Sequence, residues 1–405
     1  MKHRLPLISG ALFLCVFLSI FNEVLLSPFY PQFFRKVFGV TDLAYTGYYI
    51  FVCRLTVVLC APVWGVLSRR FEVKHLLFVG QLGAAFMTAL MGTSTSAEQF
   101  LIYTILLLLC KSSYLLVYPL IIQLGGEEKR TAIAGTYQAV FHSAIIIATI
   151  VGAFMVNINT PLIIFYGIAA ADLLQLAVCA YILRGVSTKE AGGQGAGGKG
   201  DGGRGENQLV APNQLGYIIT IGVVILTFQL ANNLVRPYFT EYVTAEPLNV
   251  DLFTGSLLFL IPSVMVIAAL PYIRQACRPE RLQTIYLASL SLLIVSLGLQ
   301  GLSSNLPLLI LARIVYGFFL AVTQAALELQ IFNQSTAKHL HFNYSLAISF
   351  ANIGHLGAPL LASWLVNTHS LASPFIAATI ICCLNLLFFR YVPKTGGRRQ
   401  AAEGF

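Results

Sequence analysis

The sequence predicts an all-α membrane protein, with twelve transmembrane helices in two pseudo-symmetric six-helix bundles. Three observations carry that prediction. Hydrophobic residues make up 57% of the 405 residues and charged residues 10%, with a mean hydropathy of +0.78. A soluble domain carries about 25% charged residues, so water is not the main solvent of this chain. The apolar residues lie in continuous runs, not in the alternating segments of about ten residues that build a β-barrel. Between two blocks of similar length lies Ala191–Gly205, AGGQGAGGKGDGGRG, with glycine at more than half its positions. It has nothing to bury and cannot offset the entropy of ordering, so it reads as a water-exposed linker. The expected organisation is one bundle over residues 1–184, a cytoplasmic linker over 185–213, a second bundle over 214–395 and a tail over 396–405.

A hydrocarbon core about 30 Å thick takes about twenty helical residues. Twelve runs qualify. In the first half they cover 5–30, 43–66, 75–93, 99–123, 131–156 and 161–183. In the second they cover 214–239, 252–273, 282–301, 305–331, 341–366 and 372–391. Span one follows Lys2-His3-Arg4 in the manner of a signal peptide, but no small-residue cleavage site follows, so it reads as uncleaved.

Lys and Arg set the orientation. Arg69, Arg70, Lys74, Lys129, Arg130, Arg184, Arg274, Arg278, Arg281, Lys338 and Arg390 all fall on one side, with Lys2 and Arg4. The opposite loops hold Arg35 and Lys36, with Arg236 near that edge. Both termini and the linker are therefore expected in the cytoplasm, in a bacterial inner membrane. The net charge of +9 resides in these short loops, which argues against nucleic-acid binding. The eight cysteines fall almost entirely within apolar runs and lack zinc-site spacing, so they read as buried small hydrophobes without structural disulfides.

The halves echo one another. Span one ends Ser27-Pro28-Phe29-Tyr30 and span seven ends Arg236-Pro237-Tyr238-Phe239; the loops after spans two and eight are both basic. Shared punctuation at matching points predicts an internal duplication of six spans.

Two six-span halves, a long central loop and both ends inside resemble the major facilitator superfamily. Gly65-Val-Leu67-Ser-Arg69-Arg70-Phe-Glu72-Val73-Lys74 resembles its loop motif G-x-L-x-D-R-x-G-R-K at Gly65, Leu67, Arg70 and Lys74. Arg69 stands at the aspartate position and Glu72 at the second glycine. Arg313-Ile-Val-Tyr-Gly317 fits the R-x-x-x-G pattern usual in span four, here in span ten. Gly354-His-Leu-Gly357-Ala-Pro359 resembles the glycine-proline motif of exporters, here in span eleven. The resemblance implies alternating access, with spans one, four, seven and ten lining a central cavity and spans two, five, eight and eleven flanking it.

An ionisable side chain at membrane depth costs about 2.5–3.5 kcal/mol on insertion scales, so each is a candidate site residue. They are Glu23, Arg54, Lys111, His142, Asp172, Arg313 and His355, joined by uncharged Asn22, Asn232, Asn233 and Asn352. Asp172 is the exception, because span six is peripheral in the family. Glu23 is the one carboxylate deep in a span that the resemblance places at the cavity. Two readings follow: a proton-coupling group, with His142 and His355 as relays, or a fixed counter-ion to Arg54 or Arg313. Arg54, Lys111 and Arg313 outnumber it, and surplus positive charge in a low-dielectric cleft attracts anions. They are therefore expected to bind substrate, with Asn232, Asn233 and Asn352 as hydrogen-bonding neighbours; packing roles for Lys111 and the asparagines are the bland alternative.

The functional expectation is a proton-coupled secondary transporter of a small anionic or zwitterionic metabolite, of which a carboxylate siderophore is an instance. A multidrug exporter of the same superfamily is the alternative, opposed by the three cations. A non-transporting receptor or scaffold is a third class. No enzyme signature is present and the linker lacks the G-K-[ST] ending of a nucleotide-binding loop, so no cofactor is expected. The expected partners are the substrate, the lipid bilayer and a coupling ion, either proton or sodium, acting on a monomer.

Overall fold

The computed structural model describes residues 5–68, 70–117, 120–121, 130–184, 212–334 and 340–390. Among them the chain is helical, with no strand. Ten helices are long and apolar enough to cross a membrane. Span eleven, Leu340–Thr368, and the shorter apolar helix Ser373–Phe389 complete the predicted twelve. Arg69, the linker residues 185–211 and the tail from 391 lie outside the described residues.

Two compact units emerge, Met1–Gly205 and Glu206–Phe405. In the first, the spans are Leu5–Val24, Leu43–Leu67, Val73–Met91, Ala97–Lys111, Arg130–Val156 and Ile164–Ile182. In the second they are Pro212–Leu234, Leu252–Ala276, Leu282–Leu302, Leu306–Gln334, Leu340–Thr368 and Ser373–Phe389. Span seven begins at Pro212, inside what the sequence reads as linker, because proline suits the first helical turn.

The duplication is visible in the packing. In the first unit span one packs on five and six, span three on four and six, and span two on four. In the second, seven packs on eleven and twelve, nine on ten and twelve, and eight on ten. These are the same five pairs shifted by six spans. Each half also closes its first span alike. Span one runs into the 3-10 turn Ser27–Phe29 and the helix Tyr30–Phe38, and span seven into Arg236–Tyr238 and Phe239–Thr244. Pro28 and Pro237 cause the change, since a proline withholds the N–H that an α-helix needs. The short helices then bury Phe33 and Phe34 against Phe100 in one half, and Phe239 and Tyr242 against Phe375 in the other.

Glycine sets the closest approaches. A Cβ on Gly152 of span five would sit 1.9 Å from the Leu25 carbonyl oxygen after span one. A Cβ on Gly354 of span eleven would sit 2.5 Å from the Leu226 carbonyl oxygen of span seven. The glycine of the exporter-like motif thus lets two backbones touch, at the partnership that Gly152 serves in the first half.

Span four is expected as one helix over 99–123, but its α-helix stops at Lys111 and a 3-10 turn covers Ser112–Leu116. Side chains satisfy the carbonyls at the change. Ser112 Oγ donates to Leu108 O at 2.7 Å, and Trp64 Nε1 of span two donates to Leu109 O at 2.9 Å. A backbone irregularity in a membrane persists only where protein groups re-satisfy it.

Candidate functional site

Glu23 sits one residue before the end of span one, and its carboxylate is exposed. Tyr114, on the 3-10 turn of span four, donates its hydroxyl to Glu23 Oε2 at 3.4 Å. Arg54, exposed on span two, forms no ion pair with Glu23 among the described residues. The charges of both nevertheless reach the Tyr30 and Tyr114 hydroxyls and the Cys53 thiol. Glu23 is thus an exposed carboxylate met by one tyrosine, and Arg54 an exposed guanidinium on span two. His142, half-buried on span five, packs edge-on to Phe141, with ring centroids 5.5 Å apart.

Lys111 is placed differently. Its side chain is only 6% exposed, and its ammonium forms no hydrogen bond or ion pair among the described residues. It lies where span four changes helix type, next to buried Ser112 and Ser113. The sequence groups Lys111 with Arg54 as cations expected to bind substrate, but burial separates them.

A second polar constellation runs through the interior of the first bundle. Spans one and six are antiparallel neighbours joined by three rungs, one helical turn apart. Cys15 and Cys179 place their sulfurs 3.1 Å apart, Gln175 Nε2 donates to Ser19 Oγ at 3.1 Å, and Asn22 Nδ2 donates to Asp172 Oδ1 at 3.0 Å. Span three adds Gln81 Nε2, which donates to Asp172 Oδ1 at 2.9 Å, and Thr88 Oγ1, at 3.4 Å from Oδ2. Asp172 is 0% exposed. The family resemblance sets Asp172 on a peripheral span; the structure makes it the junction of three spans, with Asn22 turned to it.

In the second bundle Arg313 is 4% exposed. Its Nε donates to Leu258 O at 3.3 Å, Nη1 to Gln300 Oε1 at 3.2 Å and Nη2 to Phe259 O at 3.4 Å. Its guanidinium lies 4.0 Å from the Phe239 ring centroid. Pro262 explains the first bond. It sits inside span eight and has no N–H to offer the carbonyl four residues back, so Arg313 supplies the donor that Leu258 lacks. One turn on, a Cβ at Gly317 would stand 2.4 Å from Pro262 Cα. The R-x-x-x-G pattern in span ten is here a seat for a proline in span eight.

Asn232 donates to Phe228 O at 2.8 Å and accepts from the Tyr316 hydroxyl at 3.2 Å, tying span seven to span ten. Asn233 donates to Gln229 O at 2.8 Å within its own helix. Asn352 is exposed on span eleven, and His355 is half-buried one turn on. In the loop motif, Gly65 ends up inside span two, Arg70 is exposed, and Lys74 pairs with Glu72 at 2.7 Å. Glu72, standing where the family has glycine, thus neutralises the motif's lysine. Among the described residues no three His, Cys, Asp or Glu side chains gather as a metal site.

Paired six-helix units with ionisable groups at membrane depth define a polytopic membrane transporter, not an enzyme. The chain belongs to the Major Facilitator Superfamily, whose family model matches residues 12–281 and 221–404. It is similar to the "Multidrug resistance protein MdtG" of Salmonella choleraesuis (strain SC-B67), at 22% identity over 378 residues and 90% of each chain. The MdtG of Yersinia enterocolitica is also 22% identical, over 90% of this chain and 87% of that one. Among solved structures, the nucleoside transporter NupG aligns with a TM-score of 0.74 at 11% identity, over 95% of this chain and 98% of that one. The human organic anion transporter MFSD10 (TETRAN) aligns at 0.65 and 15%, over 96% and 99%. These structures share the fold.

Proposed function

We propose that this chain is a multidrug exporter that uses a proton gradient through Glu23. It works in a bacterial inner membrane with both termini in the cytoplasm, by alternating access. The observation that carries this reading is the exposed Glu23 carboxylate at the end of an apolar span, met by the Tyr114 hydroxyl. A carboxylate beside an aromatic side chain can hold either a lipophilic cation or a proton, and competition between the two couples their movements. The likeness to proteins named for multidrug resistance, along 90% of the chain, supports the same reading.

The case for an anionic metabolite, including a carboxylate siderophore, rests on three cations. Lys111 and Arg313 are enclosed within their own bundles, and the guanidinium of Arg313 is occupied by protein acceptors. Arg54 alone of the three is exposed, which leaves one accessible cation and one accessible carboxylate. That balance favours lipophilic cations and zwitterions over polyanions.

Proteoliposomes with an imposed pH gradient test the proposal, using tetraphenylphosphonium and radiolabelled citrate as opposite probes. The expected result is gradient-driven movement of tetraphenylphosphonium, and its loss together with weakened binding of the cation in a Glu23→Gln variant that still folds. Undiminished gradient-driven transport in Glu23→Gln, or movement of citrate alone, would overturn it.

A further inference from the structure

We propose that the interior of the first bundle holds a site for a small monovalent cation of sodium type, built by Asp172 of span six with Asn22, Ser19 and Gln175. The Asp172 carboxylate there has no cationic partner, and two buried amide oxygens have no donor, among the described residues. Asp172 is fully buried, and among the described residues no Lys, Arg or His pairs with it; its contacts are the neutral donors Asn22, Gln81 and Thr88. Asn22 Oδ1 and Gln175 Oε1 are buried acceptors that meet no donor among the described residues. The first belongs to the amide whose Nδ2 donates to Asp172 Oδ1 at 3.0 Å. The second belongs to a side chain 4% exposed, one turn along span six, whose Nε2 already donates to Ser19 Oγ.

Unmet acceptors at the edge of a buried anion share one deficit, positive charge. A proton satisfies the carboxylate and a single acceptor. A hard cation coordinates several oxygens at once, carboxylate and amide carbonyl alike. With one carboxylate present, a monovalent ion leaves the site neutral, which a low-dielectric interior favours.

The duplication supplies an internal control. Asp172 stands eleven residues after Pro161, near the start of span six, and Asn385 eleven residues after Pro374 in span twelve. Asn385 occupies the equivalent three-span junction. It donates to Val224 O and Thr227 Oγ1, both at 2.7 Å on span seven, and accepts from the Tyr286 hydroxyl of span nine. There a neutral amide joins the three helices. Joining helices therefore requires no charge at this position, and the carboxylate of the first bundle is free for another task.

The full-length protein in detergent is assayed for binding of radioactive sodium, with choline holding ionic strength constant. Wild type is expected to bind sodium saturably, about one ion per chain, with lithium competing and choline not. Sodium should also raise the thermal unfolding midpoint, as any ligand of the native state does. Asp172→Asn should lose both effects, and Gln175→Leu, which keeps the carboxylate, should weaken binding about ten-fold, the scale of losing a supporting group at a metal site. Glu23→Gln should bind sodium as wild type does, which separates this site from the transport proposal. Absence of saturable binding in wild type overturns the inference whether or not the variants fold. So does undiminished binding in Asp172→Asn, or a midpoint that answers to pH and not to sodium.

Discussion

Arg313 and Pro262 offer the sharpest test of how this fold is held. Replacing Arg313 with Met leaves two buried acceptors without donors, Leu258 O and Gln300 Oε1. Each costs about 1–3 kcal/mol. The same change relieves the desolvation of a buried ion, which is itself worth several kcal/mol. The sign of the single substitution is therefore a contest, but its dependence on Pro262 is not. Pro262→Ala restores a backbone N–H at position 262, aimed at the Leu258 carbonyl. Once that carbonyl has a helical partner, Arg313→Met should cost less, by one hydrogen bond from a charged donor, about 1.5–3 kcal/mol. The assay is a double-mutant cycle on four full-length proteins, unfolded at equilibrium in mixed micelles and followed by circular dichroism. Additive effects, within about 0.5 kcal/mol, would refute the reasoning.

The remaining predictions concern helix approach, the break in span four and an exposed cap. Gly152→Ala should destabilise by about 1–3 kcal/mol or more, because the new Cβ meets a backbone carbonyl that cannot rotate away. Gly357→Ala is the control: its nearest neighbour is the Leu230 Cδ1 at 3.7 Å, so its midpoint in the same unfolding assay should be near wild type. Trp64→Phe removes the donor to Leu109 O and should cost about 0.5–1.5 kcal/mol, read by the same assay. Asp251 caps span eight and accepts from the Thr254 hydroxyl at 2.5 Å and amide at 3.0 Å, which holds its carboxyl below the ordinary range. A depressed folded value gives stability above the unfolded value, about pH 4, and loses it as pH falls through the lowered one. The advantage of wild type over Asp251→Asn should accordingly shrink with acidification; an advantage that grows would contradict the cap.

What the sequence could disclose follows from how each signal is written. Span number, the two-fold repeat and the buried ionisable residues are composition and periodicity, and a lipid solvent makes both emphatic. Partnerships are another matter. Arg313 announces itself as a cation at depth, but its acceptor is created by Pro262, fifty-one positions earlier, and only the packing of span ten on span eight joins them. Pro262 within an apolar run was the available signal. Span four carries its signal downstream of the break: Pro119 has no N–H for the carbonyl of Leu115, within the 3-10 turn Ser112–Leu116. Spans two and three accommodate the break, where Trp64 supplies a donor and Gly80 admits Ser113.

The duplication makes such differences interpretable, because each bundle shows what the shared architecture needs. Both need a glycine where span five meets one and eleven meets seven, and Gly152 and Gly354 supply it. Both need a proline to turn the end of the first span, and Pro28 and Pro237 supply it. A residue whose counterpart does the same job without charge has charge for a different reason. Asp172 against Asn385 is such a pair, both fully enclosed and both gathering hydrogen bonds from two neighbouring spans. The asymmetry of the two halves, more than the charge itself, sets Asp172 apart from the interhelical glue that Asn385 supplies.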